Sequence, residues 1–386
     1  MSETYRNTIL CGDALEQLKR VPDKHVQMCV TSPPYFGLRD YLTASWEGGD
    51  DSCNHYRDSK QSASCNTGQK NVVGSIGDGI YKDVCRKCGA VRIDKQIGLE
   101  ESPEKYIDNL VNVFREVKRV LKDDGTLWLN IGDSYYNYRL GKGQGLSTAQ
   151  AITNGKRNLP EEICPRRGNK FSNIKEKDLI GIPWMLAFAL RADGWYLRCD
   201  IIWSKLNGIP ESVKDRPTRS HEYIFLLSKN KNYYYDNEAI KEPCAESTIP
   251  RLFRAIKNSK YCKVAYGQTI QGINKPREKV VALFPDGKID KKYEMRNKRS
   301  VWSVSIKPFK DAHFATYPPD LIIPPILAGS KKGDIVLDPF GGAGTTGIIA
   351  KRYEREYLLI ELNPEYIKMA QKRIDKVTVQ GDMFDE

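Results

Sequence analysis

The sequence predicts an α/β protein whose mostly parallel sheet is covered by helices on both faces. In residues 319–380, short apolar runs alternate with amphipathic helical segments, the pattern of repeated strand–helix–strand units. A further unit of this kind occupies residues 8–31. Because open α/β sheets bind ligands at the carboxyl ends of their strands, polar motifs at those ends are the candidate site.

The N-terminal half supplies strands and helices in alternation. Ser102 and Pro103 mark a helix start, as N-cap and first-turn proline, before apolar residues at helical spacing. Short β-branched and aromatic runs bounded by turn residues indicate strands. The predicted elements are a strand at 8–13, a helix at 14–20, a strand at 26–31, a helix at 103–121, a strand at 125–133, a helix at 179–191, and strands at 196–203 and 222–227.

The C-terminal part has the clearest alternation of strands and helices. It predicts a helix at 319–327, a strand at 334–338, a helix at 344–352, a strand at 357–361, a helix at 364–374 and a last strand at 377–380. Two stretches break the pattern. Residues 44–98 are rich in Gly, Ser, Asn and Asp and indicate an insertion, and residues 236–310 form a separate basic module with few apolar runs.

Charge and composition narrow the partner class. Among 386 residues, 61 are Lys or Arg and 49 are Asp or Glu, a net charge of +12, which favours nucleic acid first and an anionic membrane surface second. No apolar run approaches the ~18 residues of a membrane-spanning helix. Since the N-terminus lacks a signal-peptide pattern, we expect a cytoplasmic protein whose ten cysteines are thiols or metal ligands.

A glycine-rich segment, Asp338-Pro-Phe-Gly-Gly-Ala-Gly-Thr-Thr346, follows a predicted strand and opens a helix. Glycines permit a tight turn and close approach to a ligand, and the helix N-terminus offers unpaired N–H groups. The segment matches neither the phosphate loop nor the dinucleotide fingerprint. Glu361 ends the next predicted strand, where a carboxylate can accept hydrogen bonds from two ribose hydroxyls.

A second motif, Ser32-Pro33-Pro34-Tyr35, ends the strand at 26–31. Proline has no N–H, and two in succession restrict the backbone. The Ser32 hydroxyl and the Pro33 carbonyl can therefore both accept hydrogen bonds from one amino group. Tyr35 offers a ring on which a planar base can stack.

Together these motifs resemble those of the amino-group DNA methyltransferases that use S-adenosylmethionine, in the motif order of their β group. Ser-Pro-Pro-Tyr resembles the family's catalytic motif, comprising Ser32, Pro33, Pro34 and Tyr35. The resemblance implies that Asp13 approaches the adenine of the cofactor, with Asp382 a weaker candidate. The implied cofactor-binding residues are Asp13, Thr31, His313, Phe314, Pro318, Asp338, Pro339, Phe340, Gly341, Gly342, Gly344, Thr345, Thr346, Glu361 and Asn363.

The resemblance also gives the domains their expected roles. Residues 1–43 and 99–235 are the catalytic half of a Rossmann-like methyltransferase domain, and residues 311–386 are its cofactor-binding half. Residues 236–310 are expected to recognise the target DNA. The remaining segment, 44–98, is the insertion.

The insertion carries a candidate metal site. Cys53, His55, Cys85 and Cys88 form two ligand pairs, the second in a Cys-x-x-Cys-Gly sequence. Four such ligands suit tetrahedral structural zinc, which stabilises a segment that lacks an apolar core. Cys65 is an alternative to Cys53 or His55.

The expected function is sequence-specific methylation of an exocyclic amino group in double-stranded DNA by S-adenosylmethionine. Serine before Pro-Pro-Tyr favours cytosine N4, because adenine N6 enzymes of the family more often have Asp or Asn there. Alternatives are adenine N6, an RNA base, a protein glutamine, and a zinc-containing DNA-binding protein with an inactive core. The resemblance implies a bacterial, archaeal or phage-infected cell, and leaves open a companion restriction endonuclease and a homodimer.

Overall fold

The structure is a computed structural model. It describes residues 5–37, 43–55, 81, 84–94, 96–136, 139–140, 166–167, 171, 173–208, 210–244, 295–306 and 317–378. Cys65, His313, Phe314 and Asp382 lie outside the described residues, as does most of the predicted basic module.

Each helix and strand that the sequence predicts between residues 8 and 374 has a counterpart in the structure. In order they are β1 (Thr8–Cys11), α1 (Ala14–Arg20), β2 (Val26–Thr31), β3 (Ser45–Glu47), β4 (Val91–Ile93), α2 (Pro103–Val120), β5 (Leu121–Ile131), β6 (Arg139–Leu140), β7 (Arg166–Arg167), α3 (Ile182–Ala192), β8 (Tyr196–Lys205), β9 (His221–Ser228), β10 (Glu242–Pro243), β11 (Met295–Arg296), β12 (Val301–Val304), α4 (Pro319–Gly329), β13 (Ile335–Asp338), α5 (Thr345–Arg352), β14 (Glu356–Glu361) and α6 (Pro364–Asp375). A 3-10 turn at Glu238–Ile240 precedes β10.

Eight strands form one sheet in the order β1-β14-β13-β2-β5-β9-β8-β12. All neighbours pair in parallel except β9, which runs antiparallel to both β5 and β8. The predicted α/β class with a mostly parallel sheet is confirmed. Since β13 and β14 lie between β1 and β2, the C-terminal part of the chain supplies strands to the middle of a sheet that the N-terminal part begins.

Alternation along the strands builds a hydrophobic layer on each face of the sheet. In β2, Cys29 joins one buried cluster, while Met28 and Val30 join the other. The first cluster includes the buried faces of α1, α2 and α3, and the second includes those of α4, α5 and α6. Helices therefore cover both faces, as the period-two pattern of a buried strand requires.

Side-chain caps set the starts of three helices. The Ser102 hydroxyl accepts a hydrogen bond from the Lys105 N–H at 3.2 Å, and Pro103 occupies the first turn of α2. Asp13 and Asn363 cap α1 and α6 in the same way. Because a capping oxygen satisfies an orphan N–H group, these residues fix where the helices leave the carboxyl ends of the strands.

Two sequence-based expectations need correction. Val301–Val304, within the range assigned to the separate basic module, is β12, the edge strand of the main sheet, parallel to β8. Its buried Trp302 packs in the second cluster, and a four-residue strand beside charged residues gave too weak a pattern to assign. Of the strand expected at 377–380, Val377 and Thr378 belong to no strand, and residues 379–380 lie outside the described residues.

The sequence contains no apolar run long enough to predict a membrane-spanning helix. Among the described helices, none combines the length and the hydropathy that a bilayer span requires.

Candidate active site

Asp338, at the end of β13, joins the glycine-rich loop to the strand that precedes Ser32. The Thr31 hydroxyl donates to Asp338 Oδ1 at 2.6 Å, and the Phe340 N–H donates to the same oxygen at 3.1 Å. The hydroxyls of Thr346 and Tyr317 donate to Oδ2 at 2.6 and 2.9 Å. The carboxylate, 1% exposed, thus binds four donors and fixes the two candidate loops side by side.

Burial governs the electrostatics of Asp338. Removal from water raises the pKa of its carboxyl group above the ordinary 3.8, while the hydrogen bonds from Thr31, Thr346 and Tyr317 act in the opposite direction. Burial likewise raises the pKa of Tyr317 well above 10.0, so its phenol remains a donor. Asp338 therefore lies beneath the glycine-rich loop and supports it.

Glu361, at the end of β14, faces the same loop. Its Oε2 accepts the Gly342 N–H at 2.9 Å, and its Oε1 accepts the Asn363 N–H at 2.8 Å. Burial raises the pKa of Glu361, and these backbone donors partly offset the rise. Each oxygen retains acceptor capacity beyond one N–H group, which is what recognition of two hydroxyls requires.

Close packing explains two glycines of the loop. Gly344 has φ of +78°, and a Cβ there would stand 2.7 Å from the Ala370 Cβ. Gly344 also precedes α5 without a side-chain cap, which leaves the helix N-terminus to other partners. At Gly341 an added Cβ would lie 3.0 Å from the Leu359 Cβ, so the loop lies directly over β14.

The other predicted cofactor residues within the described chain lie along the same edge of the sheet. Asp13 caps α1 by accepting the Glu16 N–H at 3.0 Å, and the neighbouring Gly12 N–H donates to the Glu361 carbonyl at 3.0 Å. Pro318 occupies the N-cap position of α4. Pro339 and Thr345 lie in the glycine-rich loop and at the start of α5.

Tyr35, in the loop after β2, is held through its hydroxyl and its ring. The hydroxyl donates to Glu222 Oε2 at 2.6 Å. One side of the ring lies against Gly132, where an added Cβ would be 2.6 Å from Tyr35 Cε2. The Tyr106 hydroxyl donates to the carbonyl of Pro34, the residue before Tyr35, at 2.8 Å. The loop is therefore fixed by α2 on one side and by β5 and β9 on the other.

Sequence reasoning missed several residues at this site. Glu222 and Asn130 contact the Tyr35 hydroxyl, Lys205 pairs with Glu222, and Tyr317 binds Asp338. Asn130 interrupts the apolar run Leu127–Ile131 of β5, and a polar residue within a buried strand was the available signal. Glu222 and Tyr317 lie in segments that resemble family motifs, at residues 200–222 and 313–320. No partner could be assigned to either side chain, because the partners come from distant parts of the chain.

The predicted metal ligands converge at one point. Donor atoms of Cys53, His55, Cys85 and Cys88 all lie within 4.8 Å of one another. Cys53 Sγ is 3.8 Å from Cys85 Sγ, and Cys88 Sγ is 3.6 Å from His55 Nδ1. Tetrahedral zinc, with Zn–S of about 2.3 Å and Zn–N of about 2.05 Å, requires separations of about 3.8 and 3.6 Å. These two separations fit zinc.

Backbone conformation arranges this cluster. Gly89 has φ of +78°, and its N–H donates to the Cys85 carbonyl at 2.8 Å. Backbone hydrogen bonds from Asp50 and Ala90 lower the pKa of Cys88 to about 6, which favours the thiolate that binds metals. The Trp46 ring stacks on His55, with centroids 4.2 Å apart. The short β3–β4 ribbon thus supports the ligands.

A doubly wound sheet with a glycine-rich loop and an acid ending the adjacent strand defines a class of cofactor-binding α/β proteins. The family model described as DNA methylase, N6_N4_Mtase, matches residues 26–372. The chain belongs to this family of N6/N4 DNA methylases, and the resemblance stated from its motifs is confirmed.

Curated relatives match over nearly the whole chain. Type II methyltransferase M.Cfr9I of Citrobacter freundii is 40% identical over 371 residues, covering 95% of this chain and 87% of that protein. Type II methyltransferase M.XycI of Xanthomonas campestris pv. cyanopsidis is 38% identical over 375 residues, with coverage of 95% and 87%.

Among solved structures, the cytosine-N4-specific PvuII DNA methyltransferase is similar in fold. Its TM-score is 0.51 at 15% identity, covering 97% of this chain and 88% of that chain. This likeness concerns the fold alone.

We predict that Asp338→Ala lowers the free energy of unfolding by roughly 2–4 kcal/mol, because it leaves several buried donors without an acceptor. Asp338→Asn should cost much less, since its amide can donate to Thr346 and Tyr317 while its oxygen accepts from Thr31 and Phe340. Denaturant unfolding of both variants measures this. Equal losses would contradict the assigned network.

The same pair of proteins gives a pH test of the Asp338 prediction. A carboxyl group whose native pKa is raised binds its proton more tightly in the native state, so its stabilisation is complete below 3.8 and is lost as the pH rises through the native value. The stability of the wild type relative to Asp338→Asn should therefore fall as the pH is raised from 4. A rise would reverse the assigned direction.

Proposed function

We propose that this protein transfers a methyl group from S-adenosylmethionine to the exocyclic N4 of a cytosine flipped out of double-stranded DNA. The observation that carries the proposal is the hydrogen bond from Thr31 to Asp338, 2.6 Å long. It joins the residue preceding Ser32 to the residue that opens the glycine-rich loop. The amine acceptors and the cofactor loop are thereby neighbours across one pair of adjacent strands.

The catalytic loop offers acceptors for the target amine. An exocyclic amine on cytosine is a poor nucleophile, because its lone pair is delocalised into the ring. The Ser32 hydroxyl and the Pro33 carbonyl, by accepting its two N–H bonds, favour a pyramidal nitrogen with a more available lone pair. Tyr106 already occupies the Pro34 carbonyl, which fits a loop that presents the Pro33 carbonyl to the base.

The proposed binding of the cofactor rests on Glu361 and the glycine-rich loop. When bound, S-adenosylmethionine supplies a methyl group already activated on a sulfonium sulfur. Glu361, oriented by Gly342 and Asn363, would accept the ribose hydroxyls, and Asp13 would approach the adenine. Catalysis then rests on positioning the amine for in-line transfer.

Cytosine is favoured over adenine by Ser32 ahead of Pro-Pro-Tyr. The same acceptors would serve adenine N6, so the choice between the two bases rests on Ser32. An RNA base, a protein glutamine and an inactive DNA-binding core remain competing outcomes of the experiments below. Membership of a DNA methylase family and the net charge of +12 favour DNA.

The biological setting is part of the proposal. The relatives are named Type II methyltransferases, which supports a bacterial restriction–modification role with a companion endonuclease.

We propose that the part of residues 236–310 preceding β12 reads the DNA sequence through its basic residues. The zinc-binding insertion would serve architecture, since protein ligands would fill all four metal positions.

We predict that Glu361→Ala weakens S-adenosylmethionine binding at least tenfold, because the variant lacks the acceptor for the ribose hydroxyls. Titration calorimetry of the purified protein measures the affinity. Glu365→Ala is the matched control, since that exposed residue contacts Lys368 and should bind as the wild type does. Wild-type affinity in Glu361→Ala would remove Glu361 from the pocket.

We predict N4-methylcytosine as the main product on DNA, with adenine at the same position giving less or none. Modified-base sequencing of DNA from an expressing host locates the site, and mass spectrometry of nucleosides identifies the base. Ser32→Ala should reduce product at least tenfold. A dominant N6-methyladenine signal would overturn the base assignment, and methylated RNA or protein without methylated DNA would overturn the substrate.

We predict one zinc ion per chain, held by Cys53, His55, Cys85 and Cys88. Elemental analysis of protein purified without chelator should find it, and Cys85→Ser should lose it because three ligands bind less tightly than four. Cys199→Ser, a cysteine in β8, should retain zinc. Absence of stoichiometric zinc in the wild type would end the proposal, and full retention in Cys85→Ser would overturn the ligand set.

A further inference from the structure

A partly buried polar network lies behind the Tyr35 hydroxyl. Glu222, at the start of β9, accepts the Tyr35 hydroxyl on Oε2 at 2.6 Å. An O–H donor to a carboxylate has this length when the bond is charge-assisted, about 2.5–2.7 Å, and such bonds are roughly twice as strong as neutral ones. The Glu222 side chain is only 13% exposed, so water competes little for it.

Lys205 and Asn130 hold the Glu222 carboxylate in place. Lys205 Nζ, at the end of β8, pairs with Oε1, and Asn130 Nδ2 donates to Oε2 at 3.2 Å and to the Tyr223 carbonyl at 3.1 Å. Both carboxylate oxygens are therefore engaged by groups from neighbouring strands. A buried carboxylate with a cationic partner and hydrogen bonds on both oxygens has a fixed orientation.

The Tyr35 ring is thereby held at two points. Glu222 holds the hydroxyl, and Gly132 leaves room for the ring edge, since any side chain there would collide with Tyr35 Cε2. Burial and the Glu222 charge raise the pKa of Tyr35 well above 10.0. The phenol therefore keeps its proton at neutral pH and remains a hydrogen-bond donor. Little rotational freedom remains to be lost when a base stacks on the ring.

We propose that Glu222 is a positioning residue for the target base, acting through the Tyr35 hydroxyl, with Lys205 and Asn130 fixing the carboxylate. The inference rests on the proposed function, because Tyr35 is the residue on which the flipped base would stack. In it, Glu222 does not touch the base. Its effect is to hold the Tyr35 ring where the amine meets Ser32 and Pro33.

The test is a double-mutant cycle between Tyr35→Phe and Glu222→Gln. Tyr35→Phe deletes the hydrogen bond and should lower kcat on a duplex containing the methylation site about tenfold. Glu222→Gln replaces the charge-assisted bond with a neutral one and should lower kcat about three- to tenfold. The double variant should be no slower than Tyr35→Phe alone, because without the hydroxyl the change at Glu222 has no bond left to weaken. Titration calorimetry should give S-adenosylmethionine affinities within about twofold of wild type. Glu356→Gln, which removes a surface pair with Arg6, should keep wild-type kcat.

Two outcomes would overturn the proposal. One is wild-type kcat in Glu222→Gln. The other is a double variant whose loss in kcat is the product of the two single losses, which would mean that Glu222 acts independently of the Tyr35 hydroxyl. If Glu222→Gln fails to fold because Lys205 is left unpaired, adding Lys205→Met removes that charge, and the cycle is repeated in the resulting background.

A readout that needs no methylation separates this proposal from the proposed function. Carbon-13 labelling at tyrosine Cζ, with Tyr35→Phe identifying the resonance, reports the hydrogen bond directly. Glu222→Gln should shift the Tyr35 signal, and Glu356→Gln should leave it unchanged. An unshifted signal in a folded Glu222→Gln protein would overturn the network. If Glu222→Gln shifts the signal but the wild type methylates no DNA, only the proposed function is overturned.

Discussion

The site depends first on the hydrogen bonds around Asp338. A carboxylate that is 1% exposed costs free energy to bury, and here four donors from β2, the loop before α4, the glycine-rich loop and α5 satisfy it. These segments come from both ends of the chain. The interaction therefore fixes the loop that begins at Ser32 relative to the glycine-rich loop, because Thr31 is covalently joined to Ser32.

Strand order explains why residues so distant in sequence meet. The β13 and β14 strands enter the sheet between β1 and β2, so the carboxyl ends of these strands form one continuous edge. Thr31 and Asp338 are 307 positions apart, yet their strands are neighbours, about 4.8 Å apart. The N-terminal and C-terminal parts must therefore assemble together before either candidate loop has its final shape.

Local sequence predicted the parts of the fold and site that local physics decides. Capping by Ser102 and apolar spacing place α2 to within a residue, and the cysteine spacing identified a cluster that the structure brings together. The pairing of strands that are distant in the sequence could not be predicted. Glu222 reaches Tyr35 only because β9 runs antiparallel beside β5, and β12 joins the sheet through Trp302 although its sequence is short and flanked by charges.

The carboxylates of Asp338 and Glu222 are held by different kinds of donor. Neutral hydroxyls and one N–H group surround Asp338, so burial dominates and its pKa rises. Glu222 instead has a lysine on one oxygen and the Tyr35 phenol on the other. If either member of the Lys205–Glu222 pair moved away, the other charge would remain without a partner in a poorly hydrated site, and this cost holds both side chains in place. Asp338, beneath the glycine-rich loop, is thus held by neutral donors, whereas Glu222, behind the ring proposed to stack on the base, is held by an ion pair on one oxygen and a phenol on the other.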